Sequence, residues 1–204
     1  CEAAKIPFQE QNIREGILAP VQIQFCVQGG NFFRKGYSYS GKMAVMNNIL
    51  SNEFLHREIR EKGGAYGAWS NIGMTGYLSF VSYMDPNLKQ TLDVYAGVPE
   101  YLRNFTCSKR ELDKYIIGVI SSLDYPLTRE EIGAQSDTDH LAGFTQQDRQ
   151  QVRDEALSTQ VEDIRSYAGM VEDVIAAKHY CVFGNEDKVK ENGKLFDILT
   201  PLYK

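Results

Sequence analysis

Histidine is scarce in this chain, and its scarcity argues against a resident zinc centre. Only three histidines occur among 204 residues, at positions 56, 140 and 179. No two lie within five positions of each other, whereas a His-x-x-Glu-His zinc helix needs two imidazoles one turn apart with a carboxylate between them. Glu58 follows His56 without completing such a motif, and the acidic run at 137–140 is typical of a solvated helix surface. The sequence therefore predicts no metal site in this chain.

Cysteine is nearly as rare, and the sequence contains no recognisable nucleophile or phosphate-binding motif. Cys1, Cys26, Cys107 and Cys181 are scattered, without a Cys-x-x-Cys pair, which predicts free thiols. The even count leaves a disulfide open that spacing cannot assign. Gly-x-Ser-x-Gly and phosphate-loop spacings are absent, and the glycine pairs at 29 and 63 lack the strand-to-helix context of a dinucleotide site.

A basic surface and long apolar runs are also missing. The net charge is −5 and the pI is near 5.3, which argues against a nucleic-acid partner. No apolar stretch is long enough to cross a membrane, and no signal peptide opens the chain. We therefore expect a soluble protein with no membrane partner. The compartment is weakly determined because the chain does not begin with methionine; cytoplasm is the expectation.

The composition and one alternating segment describe the core. With 43% hydrophobic residues, 204 residues can bury the core of one domain. Residues 21–28 alternate with a period of two, which predicts a strand with one apolar and one polar face. The polar face carries Gln22, Gln24, Cys26 and Gln28. We expect this glutamine-rich face to be solvated or to meet a polar surface.

Helix and turn signals give the remaining elements. A helix is predicted from a Ser40 N-cap to Gly63, with an apolar stripe of Met43, Met46, Leu50, Phe54 and Ile59. A hairpin turns at 73–76, and the next helix is predicted to begin at Asp85-Pro86. Capping boxes are predicted at Ser108 with Glu111, Thr128 with Glu131, and Thr159 with Glu162.

The end of the chain reads as a last strand over 178–184 followed by a terminal helix. The predicted order is strand, helix, two strands, several helices, strand and helix. This order is typical of an α+β fold with two layers, in which helices pack on one face of a mainly antiparallel sheet.

The segment over residues 55–67 carries the most chemical information. It reads Leu-His-Arg-Glu-Ile-Arg-Glu-Lys-Gly-Gly-Ala-Tyr-Gly, so that Arg60 and Tyr66 flank a helix end. An arginine offers a rigid fork of donors, and a tyrosine hydroxyl donates to an oxyanion without ionising. A purely local interpretation is also open, in which Arg60 satisfies the last helical carbonyls and Gly63 or Gly64 is the left-handed C-terminal residue.

Two motifs in this region resemble a known family. In the pitrilysin and insulysin type of zinc metallopeptidase (inverzincins), the presequence protease and falcilysin branch has Leu-Trp-x-x-x-Arg-x-x-Gly-Gly-Ala-Tyr-Gly ahead of Ser-Tyr-x-Asp-Pro-Asn. Here residues 55–67 match the first motif, with His56 in place of the aromatic residue, and residues 82–87 read Ser-Tyr-Met-Asp-Pro-Asn. Weaker similarity extends over nearly the whole chain.

The resemblance implies that residues 1–204 form a single C-terminal domain of a larger peptidase. Two bowl-like halves would enclose a chamber in which peptides are degraded, and the N-terminal half of the same polypeptide would bind the zinc. Arg60 and Tyr66 would bind substrate, with Arg60 holding a carbonyl and Tyr66 acting catalytically on the oxyanion. Gly63 and Gly64 would shape the loop, and this chain alone would be inactive.

Two other interpretations remain open. A non-catalytic relative, similar to a core subunit, would use the same fold as a structural or peptide-binding module. A His-x-x-Glu-His motif elsewhere in the full protein distinguishes the peptidase from this relative. A free-standing α+β ligand-binding module is the third interpretation, and a thermal shift with a small molecule would favour it.

The missing histidine pair makes a direct prediction. The isolated 204-residue chain should hold no stoichiometric zinc, because no two histidines have ligand spacing. Metal analysis after dialysis measures this, and one tightly held zinc per chain would contradict it.

Overall fold

Six strands form one sheet in the computed structural model, which describes residues 13–203. The spatial order is β3-β4-β2-β5-β1-β6. β2 pairs antiparallel with β4 and β5, β3 pairs antiparallel with β4, and β1 runs parallel to β5 and β6. The strands are β1 Glu15–Ala19, β2 Gln24–Asn31, β3 Gly67–Ile72, β4 Tyr77–Asp85, β5 Tyr180–Asn185 and β6 Ile198–Pro201.

The helices form the second layer. The first, α1, continues without a break into a π-helical segment, Leu50–Glu61. Short 3₁₀ turns lie at Phe32–Lys35 and Gly193–Leu195. The α-helices are α1 Lys42–Ile49, α2 Lys89–Arg103, α3 Lys109–Leu123, α4 Arg129–Ala142, α5 Gln146–Leu157, α6 Val161–Ser166, α7 Ala168–Ala176 and α8 Glu186–Glu191. The predicted α+β, two-layer, mainly antiparallel fold is confirmed.

The described helices pack on one face of the sheet. Cys26, Phe80 and Val182 share that face on neighbouring strands and are fully buried. The hydroxyl of Tyr95 on α2 donates to the Cys26 carbonyl at 3.2 Å. The crossover helix α8 lies on the same side, because a Cβ on Gly16 of β1 would meet Val189 of α8. Within residues 13–203, the other face exposes Val27, Trp69 and Tyr83, and we call it the open face.

The expectation of a solvated glutamine face is wrong. Gln24 and Gln28 lie under the helices with 0% and 5% exposure, whereas Val27 on the opposite face is 39% exposed. The Gln24 amide donates to the Asp85 carbonyl at 3.0 Å and its oxygen accepts from the Asn185 N–H at 3.3 Å. Gln28 donates to the Ile175 carbonyl at 3.2 Å. Hydrogen-bonded partners offset the cost of burying these amides.

Three predicted helix starts need correction. The cap of α1 is Gly41 rather than Ser40, although the Ser40 hydroxyl accepts from the Lys42 N–H at 3.3 Å. Asp85 ends β4 and does not cap α2, which begins at Lys89. The predicted start at Thr159 lies one residue later, where the N–H of Gln160 donates to the Asp163 carboxylate at 2.8 Å, and the Thr159 hydroxyl donates to the Ala156 carbonyl at 2.8 Å instead.

Both remaining capping boxes, at Ser108 with Glu111 and at Thr128 with Glu131, are confirmed. The predicted apolar stripe is also confirmed, with Phe54 half-buried and its other members buried.

The chain end departs from the predicted order. The short helix predicted after the last strand is present as α8, but the residues after it form an unpredicted strand, β6, parallel to β1. β1 itself was not expected. Both strands are short, with 5 and 4 residues, so neither shows an alternation long enough to indicate a strand.

The cysteines in the described part of the chain are free thiols, as predicted. Cys26 is buried, and Cys107 and Cys181 are partly exposed. Burial raises the pKa of the Cys26 thiol to about 12. Cys1 lies outside the described residues. No helix within 13–203 is both long and apolar enough to span a membrane.

The buried glutamines allow a test of the sheet orientation. Replacing Gln24 by Leu keeps a similar side-chain volume but removes the hydrogen bonds that Gln24 makes to the Asp85 carbonyl and the Asn185 N–H. The free energy of unfolding should fall by about 1–3 kcal/mol. Gln22→Leu is the matched control because Gln22 is exposed and should unfold close to wild type. Urea unfolding measures both, and equal midpoints for the two variants would contradict this orientation.

Candidate functional site

The helix that carries Arg60 ends in a tight glycine turn. The N–H of Gly64 donates to the Arg60 carbonyl at 3.0 Å, and the N–H of Ala65 donates to the Ile59 carbonyl at 3.1 Å. Gly64 has φ +80, a left-handed conformation that glycine adopts without strain. Gly63 is required by space, since a Cβ there would lie 2.5 Å from the Ile59 carbonyl oxygen. Each glycine is therefore needed for a different reason.

The two motifs found in the sequence contact each other. The side-chain amide of Asn87 donates to the Gly63 carbonyl at 2.7 Å. The N–H of Tyr66 faces the Met84 carbonyl at 3.4 Å. Pro86 lies against Gly64, 3.5 Å from where a Cβ would stand, and its carbonyl accepts from the Lys188 ammonium. Residues 82–87 thus hold the turn that presents Tyr66.

Asp85 holds that second turn in place from inside the domain. Its side chain is fully buried and accepts from the Asn87 N–H at 2.8 Å and the Thr91 hydroxyl at 2.6 Å. The preceding residue, Met84, has φ +50, which is unusual for a residue with a Cβ. Backbone strain of this kind persists only where surrounding contacts impose it, and it clusters at functional sites.

Arg60 and Tyr66 line one open cleft of about 640 Å³. Its other described lining residues are His56, Glu61, Gly64, Ala65 and Met84. Arg60 is exposed, and Tyr66 is 69% exposed. Within residues 13–203 no hydrogen-bond partner is recorded for the Tyr66 hydroxyl, which leaves this donor available. The structure therefore brings together both residues predicted to bind substrate.

An aromatic row leads across the open sheet face to this cleft. It consists of Phe183, Phe25, Tyr83 and Tyr66, from β5, β2, β4 and the residue before β3. Neighbouring ring centres are 5.5, 5.2 and 5.9 Å apart. Tyr66 is thus the end of a continuous apolar surface as well as a residue of the cleft.

His56 is the site residue whose role the sequence did not reveal. Its Nε2 lies 3.1 Å from an Arg60 guanidinium nitrogen and its Nδ1 lies 3.3 Å from a Glu61 carboxylate oxygen. From the sequence it is only the residue that replaces an aromatic one. Spacing of four to Arg60 was the available signal.

A zinc ion does not fit the residues described here. No group of three histidine, cysteine or acidic residues within 13–203 is placed to hold a metal ion. Asp139, in the acidic run at 137–140, instead pairs with Arg149.

A larger cleft of about 770 Å³ lies elsewhere, between the open face and α7, and includes Val27, Gly29 and His179. None of the predicted site residues lines it. Size alone therefore does not identify the site, and the cleft that joins Arg60 to Tyr66 is the candidate.

Comparisons with known proteins agree with the two motifs. A family model described as the PreP C-terminal domain matches residues 14–183. Protein HypA of Clostridium perfringens is 38% identical over 203 residues, covering 100% of this chain and 21% of that protein. Presequence protease 1, chloroplastic/mitochondrial, of Arabidopsis thaliana is 35% identical over 169 residues, covering 82% of this chain and 16% of that protein. The chain thus spans about a fifth of these relatives.

The fold is also found among solved structures. The peptidase M16 inactive domain from Pseudomonas fluorescens superposes with a TM-score of 0.59 at 16% identity, over 89% of this chain and 45% of that one. Identity at this level shows the fold alone. The family model covers most of the described residues, including both motifs. The chain therefore belongs to the presequence protease (PreP) family and matches its C-terminal domain.

Proposed function

We propose that residues 1–204 form the substrate-binding C-terminal domain of a larger peptide-degrading enzyme. One observation carries this proposal: Arg60 and the available Tyr66 hydroxyl share one open cleft. The turn between them is held by two glycines and by the amide of Asn87. Polar groups that act on a transition state need such preorganised support.

The two side chains have different chemical roles in this proposal. The guanidinium of Arg60 donates to a substrate carbonyl and holds the peptide beside the scissile bond. The hydroxyl of Tyr66 donates to the oxyanion that forms when that bond's carbonyl is attacked. Because tyrosine donates as a neutral phenol, this interaction needs no change in its charge.

The attacking group comes from another part of the polypeptide. The relatives extend well beyond the region matched here, and the described residues do not form a zinc ligand set. We therefore place the zinc in the N-terminal half, which would close over the cleft and form a chamber with this domain. This chain alone would then be inactive.

The aromatic row supports a peptide as the ligand. It extends the cleft over the open face of the sheet, so apolar side chains of an extended peptide can lie on the rings of Tyr83 and Phe25 while the backbone reaches Arg60. Aromatic rings supply large apolar contact areas at binding surfaces. The open face would be part of the chamber wall.

A non-catalytic relative is the second candidate. The P. fluorescens neighbour is named an inactive domain, and this fold occurs there without activity of its own. Such a protein could still bind peptides through Arg60 and Tyr66. A His-x-x-Glu-His motif in the N-terminal half of the full protein separates the candidates. The expected cytoplasmic location stays a prediction.

Substitution of the two cleft residues tests the proposed roles in the full-length enzyme. Tyr66→Phe removes one hydroxyl and should lower kcat by about 10²–10³-fold, the scale of one lost oxyanion donor. Arg60→Ala should act more on kcat/KM, because the clamp already operates on bound substrate. Peptide hydrolysis is normalised to folded, zinc-loaded enzyme.

Tyr125→Phe is the matched control, since Tyr125 is 65% exposed and lies away from the cleft. It should turn over like wild type. Wild-type turnover by Tyr66→Phe would remove the catalytic role. A small loss of stability in Arg60→Ala with unchanged kinetics would support a purely local capping role instead.

The loop-shaping role of the glycines is tested by stability. Gly64→Ala should cost about 1–2 kcal/mol because its conformation is left-handed, and Gly63→Ala should also destabilise because of the close Ile59 carbonyl. Gly133→Ala is the matched control, since it lies inside α4 with nothing within 4 Å of a Cβ. That variant should gain roughly 0.5–1 kcal/mol. Urea unfolding of the chain gives the free energy of unfolding of all three variants. Equal values would contradict the proposed role of Gly63 and Gly64 in the turn.

A further inference from the structure

The contacts of His56 indicate which of its ring nitrogens carries the proton. Arginine can only donate hydrogen bonds, and a guanidinium nitrogen of Arg60 lies 3.1 Å from the His56 Nε2. Nε2 must therefore accept, which requires the neutral imidazole with its proton on Nδ1. That Nδ1 faces a Glu61 carboxylate oxygen at 3.3 Å. Glu61, His56 and Arg60 form a chain in which each group orients the next.

We propose that neutral His56 is a positioning residue for Arg60, and that its protonation releases Arg60 and weakens peptide binding. This inference rests on the proposed function, because Arg60 must hold the substrate. A protonated imidazole has no acceptor and would put an N–H and a positive charge against the guanidinium. Arg60 would then lose its anchor within the cleft.

The π-helical segment makes this arrangement possible. Residues four apart share a face of an ordinary helix, but residues five apart do not. In a π-helix the backbone hydrogen bonds join residues five apart. Both Arg60 and Glu61 therefore lie beside His56. The N–H of Lys62 donates to the Arg57 carbonyl at 3.0 Å, which is this longer spacing. π-helical turns are frequent at functional sites.

The described titratable residues that line the cleft are His56, Arg60, Glu61 and Tyr66. Two other carboxylates on the same helix have partners of their own. Glu53 accepts from the Tyr115 hydroxyl at 2.8 Å, and Glu58 is engaged by Arg57 and Lys62 at 2.9 Å each.

The elements packed against the helix direct their charges elsewhere. Lys42 of α1 pairs with Asp163, and on α2 Lys89 pairs with Asp93 while Arg103 pairs with Glu172. Tyr95 donates to the Cys26 carbonyl, Tyr101 stacks on Phe54 and Glu100 lines a separate groove. β3 carries no charged residue.

The direction of the pH effect follows from the hydrogen bonds. Only the neutral form of His56 can accept from Arg60 at 3.1 Å, because a protonated imidazole has no acceptor. The anchor is therefore present while the imidazole is neutral and is lost when acid adds a proton to it. Peptide affinity should therefore fall in acid without any change in Arg60 or Tyr66.

A first measurement needs no enzyme activity. In the ¹⁵N-labelled chain, long-range ¹H–¹⁵N spectra report the protonated nitrogen of each of the three histidines, and His56→Phe assigns the signal. Neutral His56 should carry its proton on Nδ1, and Arg60→Ala should let the proton move to Nε2. A proton on Nε2 in the wild-type chain at neutral pH would overturn the inference.

The second measurement follows hydrolysis of one internally quenched peptide by the full-length enzyme between pH 5.5 and 8. KM should rise about 5-fold or more towards pH 5.5 in the wild type and in His140→Phe, the control on exposed α4. His56→Phe should remove the increase in KM towards pH 5.5 that depends on His56. The same substitution should have no further effect on KM in an Arg60→Ala background.

The outcomes separate the two proposals. If His56→Phe reproduces the wild-type profile while Arg60→Ala still loses kcat/KM, the positioning role is wrong and the proposed function stands. If Arg60→Ala itself leaves peptide hydrolysis unchanged, the proposed substrate clamp fails, whatever His56 does.

Discussion

The hydrogen bond from Asn87 to the Gly63 carbonyl joins the two halves of the candidate site, the helix end that carries Arg60 and the turn at residues 82–87. The carbonyls at a helix end lack partners within the helix, and Asn87 supplies one from a turn in the middle of the domain. That turn is held by buried Asp85, which also receives a bond from Gln24. The cleft that joins Arg60 to Tyr66 is therefore built on the sheet and α2. Catalytic groups need support from rigid elements of this kind.

Local chemistry explains why the turn beside the candidate cleft could be predicted from the sequence. Gly63, Gly64 and the order of Arg60 and Tyr66 encode a turn whose residues are neighbours in the chain, and both candidate side chains line one cleft. The contact between His56 and Glu61 could not be predicted, because it depends on π-helical spacing. Helix periodicity inferred from a sequence assumes 3.6 residues per turn, and no residue type in the sequence indicates the switch to π-helical spacing.

Long-range partners explain what could not be predicted. Alternation in β2 identifies two faces but does not state which is covered, and the partners that satisfy Gln24 are Asp85 and Asn185, which lie 61 and 161 positions away. Hydropathy alone favours the wrong face. The same limit applies to β1 and β6, whose pairing with each other joins the two ends of the described chain.

The buried amides of β2 have a consequence for strand pairing. Sliding β2 by one residue would turn Phe25 and Val27 under the helices and send the glutamines to the open side, because side chains alternate with a period of two. Burial of the apolar side chains of Phe25 and Val27 would stabilise the slipped pairing. The slipped strand would, however, lose the bonds of Gln24 to Asp85 and Asn185 and of Gln28 to Ile175. The hydrogen bonds of the buried glutamines thus fix the register of β2. They also keep the aromatic rings on the side of the sheet where Tyr66 lies.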